Sequence, residues 1–339
     1  MRKLLILTVL LCAACTKVEP LSIETKTEIG YTTIMSKALG ANQVVFSDNN
    51  VFQSYAYYLP KGTYWNYSSI AGDNGAKEYF NTDVIVSKDQ TSNKWRDTSH
   101  TWYWPKTYAL TFFAWSLNQP TLTFPSGSST IVGCSDQNGI VAMEYDIEKN
   151  KNVDFLVADI AVDKVENENM YTYTGVPTLF KHKLSQFYVT VCTKEDYSKV
   201  EFTLNKIEFE NLNNKGNYTQ HPDVFTLGNT KTNQTYTDQN QVVNSTNPTE
   251  ITKVNQYIYL PQELTNDKTI TIEYTIGYDT NGDTTVDMVE KVTNTYKLSD
   301  LYGSNFNPGT KYTLNITLAL NEILWDPAVE KWTTDITTL

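Results

Sequence analysis

Histidine and cysteine are nearly missing from this chain: three of one and four of the other in 339 residues. His100, His182 and His221 stand too far apart to share a metal at any common ligand spacing. No G-x-S-x-G, H-E-x-x-H or phosphate-cradling glycine loop occurs, so the usual nucleophile, zinc and nucleotide signatures are missing. Acidic residues such as Asp154, Asp159 and Asp163 read as solvated carboxylates, not as a glycosidase pair. The reading is non-enzymatic, with no catalytic residue, metal or cofactor expected. Positive charge is also scarce, at 27 Lys and Arg against 38 Asp and Glu, a net −11. Loss of Arg2 and Lys3 with a leader takes it to −13, which argues against nucleic acid as a partner and against attraction to an anionic membrane surface. Long apolar runs and sustained 3.6-residue repeats are absent too, so neither a membrane-spanning helix nor a major core helix is expected.

What is present favours strands. The chain holds 23 tyrosines with many threonines and asparagines, and 40% apolar content sets it among globular proteins. The organising stretch is Trp102–Ser116. From Tyr108 onward, Leu110, Phe112 and Ala114 face one way and Ala109, Phe113 and Trp115 the other, so this strand has no polar face and must lie between layers. Leu21–Met35 alternates differently: Leu21, Ile23, Ile29, Tyr31 and Met35 share one side, with a polar back, as on the rim of a sandwich. Further strands are read at Gln53–Leu59, Tyr79–Val86 and Gly139–Tyr145. Val200–Leu204 and Ile207–Phe209 change phase at Asn205-Lys206, as a bulge makes them. Ile270–Tyr278 and Tyr312–Leu320 read as half-buried antiparallel strands. These elements predict an all-β chain of two antiparallel β-sandwiches in tandem, with the junction just before Leu179.

The leader is specific. Arg2 and Lys3 precede an apolar run, Leu4–Leu11, too short to span a bilayer, and then Cys12-Ala13-Ala14-Cys15. This reads as a bacterial lipobox with Cys15 as the lipid acceptor, the alternative being ordinary signal-peptidase cleavage nearby. Cys134 and Cys192 remain; free thiols are the default and a disulfide the alternative. Asp279–Glu290 spaces oxygen groups like a calcium loop, yet Thr284 stands where glycine is needed, and Asn281-Gly282 signals a hairpin turn, the preferred reading. Trp65, Tyr67, Trp95, Trp102 and Tyr103 lie in or beside turn-rich stretches, where rings can stack on sugars.

Taken in order, the lipobox, Trp104-Pro105 with Leu110–Trp115, His182-Lys183-Leu184-Ser185, Leu260-Pro261, and Asn307-Pro308-Gly309-Thr310-Lys311-Tyr312 with Trp332 beyond resemble the fimbrillin family of lipoprotein-derived pilin subunits. The resemblance implies transthyretin-like sandwich domains, export to the outer membrane through lipid on Cys15, and assembly of an extracellular fimbrium by strand donation. It divides the chain into a signal peptide (1–14), a removable first strand (15–37), an N-terminal sandwich (38–178) and a C-terminal sandwich with tail strand (179–339). The implied cut falls between Lys37 and Ala38. No arginine lies between Arg2 and Arg96, so an arginine-specific enzyme is excluded there. The candidate donor is the tail, with Trp325, Val329, Trp332 and Ile336 as its apolar residues. Expected partners are other pilin subunits, the outer membrane, and a host surface protein or glycan. The alternative function is a surface glycan-binding lipoprotein using aromatic platforms.

Overall fold

The computed structural model describes residues 26–33, 46–60, 63–67, 75–166, 175–236, 241–246, 249–250, 258–320 and 323–331. Its centre is the strand Tyr108–Ser116, buried from Ala109 onward. Phe52–Pro60 pairs with it antiparallel along its whole length, and Leu156–Ala158 and Ala161–Lys164 flank its other edge. Leu110, Phe112 and Ala114 enter one apolar cluster, with Phe52, Val84, Val86 and Trp95. Phe113 and Trp115 enter a second, with Ile140, Tyr145, Phe155 and Tyr218. A strand apolar on both sides thus divides two cores, as its composition requires.

The large sheet runs Val176–Thr178, Tyr31–Thr33, Lys94–Asp97, Val84–Asp89, Phe52–Pro60, Tyr108–Ser116, Leu156–Ala158, Phe180–His182. Its two end strands are neighbours in sequence, separated only by Leu179. A sheet whose opposite edges are consecutive pieces of chain must curl, and the first cluster fills the curl. A four-stranded sheet covers the outer face of the central strand: Val224–Leu227, Lys215–Thr219, Gly139–Asp146 and Ile131–Ser135. This sheet joins segments from either side of residue 178 through pairs such as Gly216 with Tyr145.

The last third is a sandwich. One sheet holds Thr249–Glu250, Ser185–Thr193, Thr310–Leu318 and Ile323–Lys331; the other holds Lys231–Tyr236, Val200–Asn213, Thr269–Tyr278 and Met288–Lys297. Phe187, Val189, Phe202, Phe209, Ile272, Tyr312 and Leu314 meet between them. Thr310–Leu318 alternates buried with half-buried along its length. The expected bulge lies within Val200–Asn213, where pairing with Thr269–Tyr278 shifts between Leu204 and Lys206.

Three expectations need correction. The sheets are mixed, not antiparallel: Ser185–Thr193 runs parallel to Thr310–Leu318, and Tyr31–Thr33 parallel to Val176–Thr178. Both pairs are far apart in sequence, and parallel pairing requires such long crossovers. The strand expected at Tyr79–Val86 is interrupted, with Lys77–Glu78 and Val84–Asp89 separated by a connection through Asn81-Thr82-Asp83, residues that favour turns. The first strand lies inside the large sheet, not on its rim. Among the described residues the one helix is Leu298–Tyr302, and no helix is long and apolar enough to cross a membrane.

Candidate functional site

The first segment, Lys26–Thr33, is held by backbone on both sides. The Ile29 amide donates to the Trp102 carbonyl at 2.8 Å, and the Trp104 amide to the Thr27 carbonyl at 3.0 Å. Further along, Tyr31 pairs with Trp95, while the Val176 amide donates to the Gly30 carbonyl at 2.7 Å. Gly175 permits that approach: at φ +143° its position leaves only 2.9 Å between a Cβ and the Gly30 carbonyl oxygen. The Trp104-Pro105 motif is therefore part of the wall against which the first segment lies.

Alternation aims Ile29 and Tyr31 inward, where both are buried. The Tyr31 ring meets Phe52 edge-on at 5.4 Å and Phe112 at 6.0 Å. Its hydroxyl lies beside Ser54, and burial pushes the phenol well above its ordinary range. The outward side is polar: Arg96 contacts Glu28 at 3.3 Å, and the Lys26 ammonium lies 5.5 Å from the Tyr103 ring centre. The segment thus seats two large apolar side chains, each contributing about 1.5–3 kcal/mol, and closes ladder bonds on two neighbours.

Cys15, Lys37 and Ala38 lie outside the described residues. The expected cut falls in the connection between Thr33 and Phe46, both described. In the tail, Trp325 and Val329 lie on the strand Ile323–Lys331, opposite Ile316 and Tyr312 of Thr310–Leu318. That strand ends the sheet order, and Pro327 within it lacks the N–H a further neighbour would need. Trp332 and Ile336 lie beyond the described residues. The first segment and the tail therefore occupy different sheets of one chain.

The other marked motifs meet at the junction. Ser185 Oγ donates to the Asn307 carbonyl at 2.8 Å, and the Gly309 amide to the Leu184 carbonyl at 2.9 Å. His182 Nδ1 lies 2.7 Å from Asp154, and the Lys183 ammonium 2.7 Å from Asp223 on the Lys215–Leu227 hairpin. No sequence signal linked Lys183 with Asp223; tertiary packing alone brings them together.

Asp279–Glu290 caps itself. Asp279 accepts from the Gly282 and Thr284 amides, Asp283 from Thr285, and Asp287 from Thr280, and these bonds hold all three carboxyls below their usual range. Glu290 bonds instead to the Tyr278 hydroxyl at 3.0 Å. The flanking strands Thr269–Tyr278 and Met288–Lys297 pair as a hairpin, in keeping with the turn reading. Cys134 and Cys192 are free and half-buried. Of the five rings read as a sugar platform, Trp65 and Trp95 are core residues, because an indole has more apolar area to bury than its one N–H can offset. Tyr67 stacks flat on His221 at 3.8 Å, Trp102 packs on Phe80, and Tyr103 is exposed.

The fimbrillin-like family profile matches residues 64–332, most of the chain. This chain belongs to the fimbrillin-like family. Among solved structures it is similar to a fimbrial protein from Bacteroides vulgatus ATCC 8482, at 17% identity over 90% of this chain and 99% of that one, with a TM-score of 0.69. A candidate cell adhesion protein from Bacteroides uniformis ATCC 8492 matches at 14% identity over 91% of this chain and 99% of that one, with a TM-score of 0.48. A search of curated proteins finds no match. Family and fold point to a structural, non-enzymatic protein of the cell surface or exterior, with a fimbrial or adhesive role.

Proposed function

We propose that this fimbrillin-like chain is a subunit of a surface fibre, assembled by strand exchange after export as a lipoprotein lipidated at Cys15. A cut at Lys37-Ala38 frees the first segment. Its departure leaves a slot between Lys94–Asp97 and Val176–Thr178, with unpaired backbone on both walls and an empty seat for Tyr31. The tail of a neighbour, carrying Trp325, Val329, Trp332 and Ile336, leaves its own pairing with Thr310–Leu318 and fills the slot. Because donor and acceptor lie in different sheets, each subunit can give one strand and receive another, so the contact is head-to-tail and open-ended. A subunit that keeps its lipid anchors the fibre to the outer membrane.

The observation that carries this reading is the seat itself: a short segment paired on both edges, with two core side chains, bounded by a connection that contains the only expected cut. N-terminal sequencing of protein shed from cells tests it. A start at Ala38, together with heat-labile ladders on a gel, is the expected result. Shed material that begins upstream of Thr33 and runs only as monomer contradicts it.

A further inference from the structure

The two ends of the chain carry one pattern. Glu28-Ile29-Gly30-Tyr31 and Glu322-Ile323-Leu324-Trp325 each run glutamate, isoleucine, a variable residue and an aromatic ring, and an aliphatic side chain, Met35 or Val329, follows four residues beyond the ring. The first copy is the segment seated in the large sheet, and the second leads into the tail strand Ile323–Lys331. Each matched position in the first copy meets something specific in the seat. Glu28 contacts Arg96 at 3.3 Å, and Ile29 and Tyr31 are buried. The Tyr31 and Ser54 hydroxyls are neighbours, both buried, and neither makes a well-formed hydrogen bond. A void of about 10 Å³, room for about one water, borders the pair and is lined by Phe112, Ala158, Ala161 and Val176.

The unmatched positions also fit. A Cβ at Gly30 meets nothing nearer than the Trp95 carbonyl oxygen at 3.8 Å, so Leu324 can stand there. Backbone N–H groups alternate sides along a strand; that of Ile29 faces Trp102, so that of Thr33 faces the same way. Pairing on this side reaches Tyr31 with Trp95, and the next residue in line, Asn93, turns away at φ +55°. Proline in place of Thr33, where Pro327 falls, therefore forfeits no ladder bond. The other tail ring fits badly: Trp332 in the Tyr31 seat brings Glu330 to the place of buried Ile29, and a carboxylate without a partner there is costly.

On the strand-exchange reading above, we propose that the slot accepts the tail of a second copy of this chain in one register. Glu322 takes the place of Glu28, Ile323 that of Ile29, and Trp325 that of Tyr31. Glu322 then meets Arg96, the one guanidinium on that wall. The indole is larger than the phenol and takes up the void, and its N–H donates to the Ser54 hydroxyl oxygen. Ser54 and Arg96 are thus the residues that set the register, one by a hydrogen bond at the floor and one by charge at the rim.

The test is disulfide mapping in the full exported chain after the cut at Lys37-Ala38. Thr32 lies opposite Pro177, so this register brings Asp326 of the neighbour to Pro177, whereas Trp332 in the seat would bring Thr333 there. Asp326→Cys and Thr333→Cys are each combined with Pro177→Cys, with the single variants as controls. The expected result is an intersubunit disulfide from the first pair and none from the second. As a measurement without added cysteines, Trp325→Ala should lower polymer yield roughly tenfold or more and Trp332→Ala should change it little. Ladders that form with the second pair joined or neither pair joined, or a yield that depends on Trp332 and not on Trp325, overturn the register and leave strand exchange standing. Absence of any ladder from the cut wild-type chain overturns both.

Discussion

At the scale of single residues, Tyr31 shows how a short segment can matter. Its ring fills a socket made by Phe52 and Phe112, while its hydroxyl lacks a well-formed hydrogen bond. In the uncut chain, Tyr31→Ala is expected to cost about 3 kcal/mol or more by urea unfolding, and Tyr31→Phe less than about 1 kcal/mol. Asp89 and Asp267 set part of the acid limit. Bonds from the Thr91 amide, the Ser92 hydroxyl and Arg96 pull the Asp89 carboxyl down to about 2. Lys231 and then Thr265 do the same for Asp267. A depressed folded pKa means that each carboxylate favours the fold fully above its unfolded value, about 4, and loses that benefit as pH falls through about 2. Thermal midpoints should therefore drop between about pH 4 and pH 2, and the Asp89→Asn, Asp267→Asn double variant should flatten that limb.

At the scale of elements, the bulge in Val200–Asn213 makes a sharp prediction. Phe202, Leu204, Ile207 and Phe209 are all buried although their spacing changes parity at Asn205. Deleting Asn205 restores plain alternation and regular pairing, so the urea midpoint should move little. Deleting Thr203 forces Phe202 and Leu204 onto opposite faces, with a loss of about 2–5 kcal/mol, as for a vacated core leucine. Elements with clear period-two patterns were readable before the fold was known: the central strand, this bulge, and the alternation of Thr310–Leu318. The apolar spacing of Tyr79–Val86 looks continuous, whereas the chain turns away at Asn81-Thr82-Asp83, residues whose turn preference outweighs it. The seat of Tyr31 gave no such pattern, since Phe52, Trp95, Phe112 and Val176 come from four separate strands.

At the scale of the whole molecule, the proposed exchange predicts partner dependence. A synthetic peptide spanning Ile323–Leu339 should bind the chain cut at Lys37-Ala38 and be rejected by the uncut chain, whose slot already holds Tyr31. Calorimetry or peptide fluorescence reads this directly. Equal binding to both forms counts against the slot, and deletion of Trp325–Leu339 should abolish ladders while leaving free slots that accept the peptide. Composition and alternation alone determined that this chain is built of strands, that it lacks the signatures of a catalyst, and that Tyr108–Ser116 must lie between two cores, because burial of side chains is written locally with a period of two. Only the tertiary structure decided that the first strand sits inside a curled sheet, that two strand pairs run parallel, and that the Lys215–Leu227 hairpin covers the central strand. Those outcomes depend on which distant edges find each other, and backbone hydrogen bonds carry no residue identity from which to read the partner.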